Sequence, residues 1–381
     1  MRIGLNLLHV LPQITGAWSY LDGLLGALAA DGGDARFVAF ATPASAALVP
    51  AGGRFETVCV RLPSSIRPLR VLFENTALAA LARRHRVDTL HHFTGTLPLG
   101  AGVPSVVTIY DLLVMAHPAP FRPLTRVYLR AMVPRAAGRA DMITPISHAT
   151  ARDLAERLGV PPERMRVVQP VVSPRFRPLP EAEVEAFRRR LSLPRAFWLY
   201  VANAYEHKNY ARLLAACARL RGEGRGWPLV VRAEPSRRLE RLVAGSGLGD
   251  GVVLLPPLPE AEMPLLYSAA TAFVFPSLFE GAGLPLMEAL ACGCPCVASN
   301  IPTTREFAGD AAPTFDPLDV ASIARGMAAL EESAELRGTL RAAGLARAAA
   351  FRSGRGAAAF LEAHAVAAAR RRVLVPRLAS D

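Results

Sequence analysis

Two carboxylates and one amine are the groups in this sequence best suited to chemistry. Glu280 and Glu288 stand eight residues apart in the stretch 273–300, FVFPSLFEGAGLPLMEALACGCPCVASN. Lys208 is the only lysine of the chain; the other 43 of its 44 basic side chains are arginine. Gly281, Ala282 and Gly283 follow Glu280, and Pro285 sits where a first helical residue would, so a helix is expected to start near Leu284. A helix start leaves backbone N–H groups unpaired and carries roughly half a positive charge, and glycines let a ligand approach the backbone closely. Gly281, Ala282, Gly283 and Leu284 therefore read as an anion site, with phosphate the natural guest. Glu288, one turn inside the helix and roughly 5 to 6 Å along its axis, would accept hydrogen bonds from ribose hydroxyls. Glu280 would face the other end of a diphosphate, where a sugar would lie.

The elements around these residues have to hold them in place. Residues 273–275 are a short apolar run bounded by Pro276 and Ser277, as in a buried strand; Gly293 and Pro295 end the helix, and 296–299 is a further strand. In the first half, strands are expected at 1–9, 36–41, 58–62, 89–92 and 103–109, with helices at 20–30 and 78–85 between them. A strand at 141–147, a helix at 148–158 and a strand at 165–169 follow. Such alternation marks a doubly wound parallel sheet, whose ligands sit at the carboxyl ends of the strands. That rule selects Gly16, the segment 91–95, Tyr110, Asp111 and Ser147 as site candidates. Each has a plainer reading: Gly16 as relief for a tight turn, the others as capping or loop residues.

A second sheet begins at 197–201, and the loop after it carries Asn203 and Lys208 toward the expected phosphates. Lys208 would act there as a point charge. Arg232, after a strand at 229–231, is a further candidate for neutralising charge. Pro170, Pro174, Pro178 and Pro180 mark a linker. The expected domains are 1–178, 179–355 and a terminal segment 356–381 that packs back on the first domain.

Composition limits the function. A chain of 381 residues can bury two sizeable cores. No apolar run reaches the roughly 18 to 20 residues of a membrane span, and the first residues lack a signal-peptide pattern, so a cytoplasmic protein is expected. Five cysteines argue against a secreted disulfide framework; Cys292, Cys294 and Cys296 lack the usual zinc spacing and read as small buried residues. The net charge of +12 implies an anionic partner. Between 121 and 141 arginines recur at Arg122, Arg126, Arg130, Arg135 and Arg139 with no acid before Asp141, which fits either a solvated helix face or docking to anionic lipid headgroups at the inner face of a membrane. With aromatics at 7% and no helix-turn-helix, zinc or stacking motif, nucleic acid is the weaker partner.

The spacing E-GAGLPLM-E resembles the E-x7-E signature of family 4 retaining glycosyltransferases, and the likeness extends over nearly the whole chain. It implies a GT-B fold, two Rossmann-like domains facing a central cleft. It also implies transfer of a hexose, mannose-like or glucose-like, from a nucleoside-diphosphate sugar to a saccharide or lipid-linked acceptor in surface-polysaccharide or glycolipid synthesis. Retention comes with the resemblance; catalysis with no metal and no cofactor is expected because no D-x-D pair is placed to hold a divalent ion, while Lys208 and the helix start would steady the diphosphate. The family places its N-terminal glycine loop near the donor, which favours Gly16, and its base-binding turn at Leu258. Three departures stand out: Tyr110 occupies the position of a family histidine near the donor sugar, Gln169–Val172 that of a P-N-G-V-D type turn, and Asn203 that of an arginine. A GT-B epimerase or phosphorylase is the alternative enzyme, although a phosphorylase would need a cofactor lysine and only Lys208 exists.

Overall fold

The computed structural model describes the chain apart from residues 11–15, 63–65, 101, 119–121, 353 and 379–381, and apart from the side chains of 371–378. It divides into two compact units, one formed by Met1–Val171 and Ser353–Asp381, the other by Val172–Arg352. The division falls before Pro174 and Pro178 because Phe176, 2% exposed, packs edge-on to Tyr267 of the second unit at 6.1 Å.

The first unit carries β1 (Arg2–Asn6), β2 (Arg36–Ala41), β3 (Phe55–Cys59), β4 (Thr89–His92), β5 (Ser105–Ile109) and β6 (Met142–Pro145). They form one parallel sheet in the order β3-β2-β1-β4-β5-β6. The second unit repeats the plan with β7 (Trp198–Val201), β8 (Leu229–Arg232), β9 (Val252–Leu254), β10 (Ala272–Phe275), β11 (Cys296–Ser299) and β12 (Thr314–Phe315), ordered β12-β11-β10-β7-β8-β9. The central strands are apolar and buried on both faces, which explains why they lack alternation; the edge strands β3 and β9 are partly exposed. In both sheets the strand order reverses beside the first strand, at β1/β4 and at β7/β10, and a doubly wound sheet binds ligands at the carboxyl edge of that point.

The expected strands at 36–41, 89–92 and 296–299 form with those bounds, and the helix expected near Leu284 is Leu284–Ala291. The strand expected at 58–62 lies three residues earlier, because β3 pairs Phe37 with Phe55 and leaves Glu56, Thr57 and Cys59 exposed or nearly so, hiding its start from an apolar reading. The strand expected at 165–169 is reduced to a bridge between Ile143 and Met165. Arg166 and Val168 still donate to Ile143 O and Pro145 O, each at 2.9 Å, but Pro145 has no N–H to return the bond. Helix Arg67–Thr76 was not anticipated; its one buried side chain is Glu74.

The terminal helix Arg355–Leu378 lies against the first sheet, where Ala363 and Ala367 pack on Val106 and Met142. His364 Nδ1 bonds Thr89 Oγ1 at 2.7 Å and its Nε2 meets His91 Nδ1 at 2.9 Å, while His91 Nε2 meets Thr108 Oγ1 at 2.7 Å. This chain of buried polar groups fixes the helix in register and puts His91 in the core rather than at a site. Among the described residues no helix is long and apolar enough to cross a membrane.

Candidate active site

In the second unit the groups singled out by type and spacing converge at the β7/β10 switch point. β10 delivers the chain into a loop that ends at Gly283, the residue before helix Leu284–Ala291, with φ of +79°. The dihedral favours glycine, and a Cβ there would lie 3.2 Å from the Phe275 ring, which would have to give by a few tenths of an ångström. Gly281, Ala282, Gly283 and Leu284 are buried, and the helix they lead into is apolar except for Glu288. Glu288 is 7% exposed and accepts a hydrogen bond from Tyr267 Oη at 2.9 Å.

The loop after β7 is tied to the loop after β10. Asn209, left-handed at φ of 61°, donates through Nδ2 to Pro276 O at 3.0 Å and Pro317 O at 2.7 Å, and Leu278 N donates to His207 O at 2.8 Å. Tyr200 Oη holds Lys208 O at 2.5 Å. These bonds bring Lys208 Nζ to 2.5 Å from Glu280 Oε1, with the two side chains 18% and 11% exposed. The lone ammonium and the first glutamate of the pair are thus one ion pair beside the helix start. Short loops on parallel strands account for the meeting of residues 72 apart in sequence.

Asn203 uses its Oδ1 to accept from Glu234 N at 2.9 Å, joining the loops after β7 and β8. Leu258, 6% exposed, turns its side chain inward after β9. Arg232 ends β8, paired in register with Val201, and is 2% exposed. Cys292, Cys294 and Cys296 are buried free thiols whose pKa burial pushes up.

In the first unit the candidates divide. Gly16 opens helix Gly16–Asp31 and is exposed; the segment leading to it, 11–15, lies outside the described residues. Tyr110 buries its hydroxyl without a hydrogen-bond partner, edge-on to Tyr20 at 5.5 Å, and burial raises its pKa, so it stays neutral. Ser147 is the N-cap of helix His148–Leu158: its Oγ accepts from Thr150 N at 2.9 Å and donates to Thr150 Oγ1 at 2.9 Å. That hydroxyl is committed to the helix.

A polar cluster at the β1/β4 switch point escaped the sequence. Asn6, the last residue of β1, donates to Glu74 Oε1 at 3.0 Å and lies 3.4 Å from Nδ1 of His92, the last residue of β4. Burial raises the pKa of Glu74 and lowers that of His92 to about 3. His92 stands at the end of the strand expected at 89–92; Asn6 falls inside the strand expected at 1–9, which ends three residues early, and Glu74 sits on the unanticipated helix.

Two family models match this chain: residues 14–176 match Glycosyltransferase Family 4 and residues 183–347 match Glycosyl transferases group 1. The chain belongs to the family 4 glycosyltransferases, and its two doubly wound parallel sheets are the GT-B arrangement. It is 29% identical to the O-antigen chain mannosyltransferase B of Escherichia coli over 305 residues, covering 78% of this chain and 79% of the relative. It is 32% identical over 222 residues to the Escherichia coli serotype-specific mannosyltransferase WbdA, covering 56% of this chain and 27% of that longer protein. Among solved structures, the sucrose-phosphate synthase of Thermosynechococcus elongatus superposes with a TM-score of 0.73 at 21% identity over the full length of both chains, a likeness of fold.

Proposed function

We propose that this glycosyltransferase moves a hexose, mannose in the first instance, from a nucleoside-diphosphate sugar to a saccharide acceptor in the synthesis of a surface polysaccharide. The observation that carries the reading is the Lys208–Glu280 pair held beside the Gly283 helix start. A diphosphate received by the Gly283 and Leu284 amides would draw Lys208 Nζ toward its oxygens, leaving Glu280 free to accept hydrogen bonds from sugar hydroxyls. Stabilising the departing diphosphate in this way is the electrostatic route to rate enhancement and asks nothing of a metal or cofactor. Glu288, oriented by Tyr267, is suited to ribose hydroxyls, and Leu258 to packing near the base. Retention of anomeric configuration belongs to the same proposal and is supported by the E-x7-E spacing. In the first unit, Asn6, Glu74 and His92 supply polar groups of the kind that bind acceptor hydroxyls.

A lipid-linked acceptor at an anionic membrane surface has its own support. On helix Pro123–Arg139, Leu124 and Val127 are 86% and 66% exposed and share the helix with Arg126 and Arg130, which follow Arg122. Apolar tips among arginines suit a bilayer interface. The decisive experiment incubates the protein with UDP-, GDP- and ADP-hexoses and a mannosylated acceptor and follows product by mass spectrometry. Transfer at the wild-type rate in Lys208→Ala would remove the reading. Flotation on anionic vesicles unaffected by Arg126→Glu with Arg130→Glu would remove its membrane part.

A further inference from the structure

Arg232 is the buried cation that the donor-site reading leaves unused. Its Nε and Nη2 are enclosed and have no hydrogen-bond partner, and the nearest acid, Glu234, is half exposed and 3.9 Å from Nη1. The N–H bonds of Nε and Nη2 lie along one edge of the planar guanidinium and point the same way, so together they call for two adjacent acceptors. A buried guanidinium with that edge bare is costly to the ligand-free fold, which makes a ligand its natural partner.

The surroundings identify which part of a nucleotide would meet it. β8 lies between β7, whose loop carries Lys208, and β9, whose exit leads to Leu258. From β10 and its helix start, β8 is two strands away, roughly 10 Å. Glu288, Tyr267 and Glu260, just beyond Leu258, act on Arg232 electrostatically. Arg232 therefore stands with the ribose carboxylate and the base turn, on the nucleoside side of the site.

We propose that Arg232 reads the donor's base and that the base is guanine, Nε–H and Nη2–H donating to its O6 and N7. Guanine offers two neighbouring acceptors on one edge, the match most often made by arginine. Adenine sets an amino donor beside N7, which would face one N–H with another. Uracil flanks each carbonyl with the N3–H donor and satisfies one N–H only. The inference rests on the donor-site reading above and narrows it to one nucleotide class.

Calorimetric titration of the full chain with GDP, UDP and ADP tests it, using wild type, Arg232→Met and Arg232→Lys, with thermal melts to confirm folding. Wild type is expected to prefer GDP at least about tenfold; both variants should lose roughly 10- to 100-fold for GDP and stay within about threefold for UDP and ADP. Wild-type preference for UDP or ADP, or equal binding of all three, overturns the inference while leaving the donor site standing. Equal weakening of all three by Arg232→Met, repaired by Arg232→Lys, overturns it in favour of a phosphate contact. Binding of none of the three removes the donor-site reading along with it.

Discussion

Lys208 and Glu280 neutralise each other at 2.5 Å in the ligand-free protein, so neither can be judged alone. Removing either leaves its partner charged and part-buried, and the two should behave as one unit rather than as two additive contributions. Lys208→Ala and Glu280→Ala are each expected to lower turnover by roughly 100-fold, the scale of losing one charge-stabilising group, with the double variant costing clearly less than the product. Steady-state kinetics of the four proteins in the cycle decide this; strictly multiplicative losses would mean that the two groups act independently rather than as a pair. Glu288 calls for a different result. Its carboxylate is anchored by Tyr267 and buried, so Glu288→Gln should keep the fold while donor KM rises by about tenfold, the cost of one charged hydrogen bond, and kcat changes less. The single lysine offers a direct probe as well. An amine-reactive acylating reagent has one side-chain target in the chain, and a saturating nucleoside diphosphate should protect Lys208 from it, read by peptide mass spectrometry. Equal labelling with and without nucleotide would separate Lys208 from the phosphates.

At the scale of elements, the turn from β10 into helix Leu284–Ala291 depends on Gly283. Alanine there would adopt φ of +79° with its Cβ 3.2 Å from Phe275, a combination of strain and contact. Gly283→Ala is expected to destabilise the second unit by about 1–2 kcal/mol and to weaken nucleotide binding by displacing the helix amides. Thermal melting and a nucleotide titration check both halves, and an unchanged melt would mean that the loop adapts. This segment was legible in the sequence because every cue in it is local: a buried strand, a glycine turn, a proline at the helix start and an acid one turn in. The Lys208–Glu280 ion pair was not, because no local pattern reports that loops after β7 and β10 are cross-linked by Asn209. Helix Arg67–Thr76 is hidden from an apolar reading because it turns Leu69 and Leu72 outward and buries an acid, the reverse of the pattern that apolar periodicity detects. Ser147 and His91 lie near the carboxyl edge of the first sheet, where the strand pattern puts them. Their roles came out differently, because a serine hydroxyl at a helix start has a backbone partner two or three residues on, and because His91 is held by His364, 273 residues away.

For the whole molecule, the terminal helix is fastened to the first sheet by imidazoles that must stay neutral, and this sets an acid limit on stability. His91 and His364 are 0% exposed and His92 is 1% exposed. Burial lowers all three, His364 and His92 to about 3 and His91 well below its ordinary value of 6.5. The unfolded chain takes up these protons near its ordinary histidine pKa, whereas the folded chain resists until about 3, so between the two values the unfolded state binds more protons. Stability is then complete above about 6.5 and falls with decreasing pH, by a slope approaching ~1.4 kcal/mol per pH unit for each histidine. His9, in the same unit, is also lowered by burial to about 3, so Glu74, raised by burial and working in the opposite direction, is one group against four. Thermal unfolding at about pH 7, 6 and 5 should show a progressive fall in midpoint, with the first unit failing first. In His364→Gln, which keeps hydrogen-bonding atoms for Thr89 and His91 but does not titrate, the fall should be shallower by about a quarter of the histidine contribution. A slope identical to wild type would mean that the imidazoles linking helix Arg355–Leu378 to β4 and β5 already carry a proton in the folded chain, and that the hydrogen-bonded row from Thr89 to Thr108 is held by charge rather than by neutral donors and acceptors.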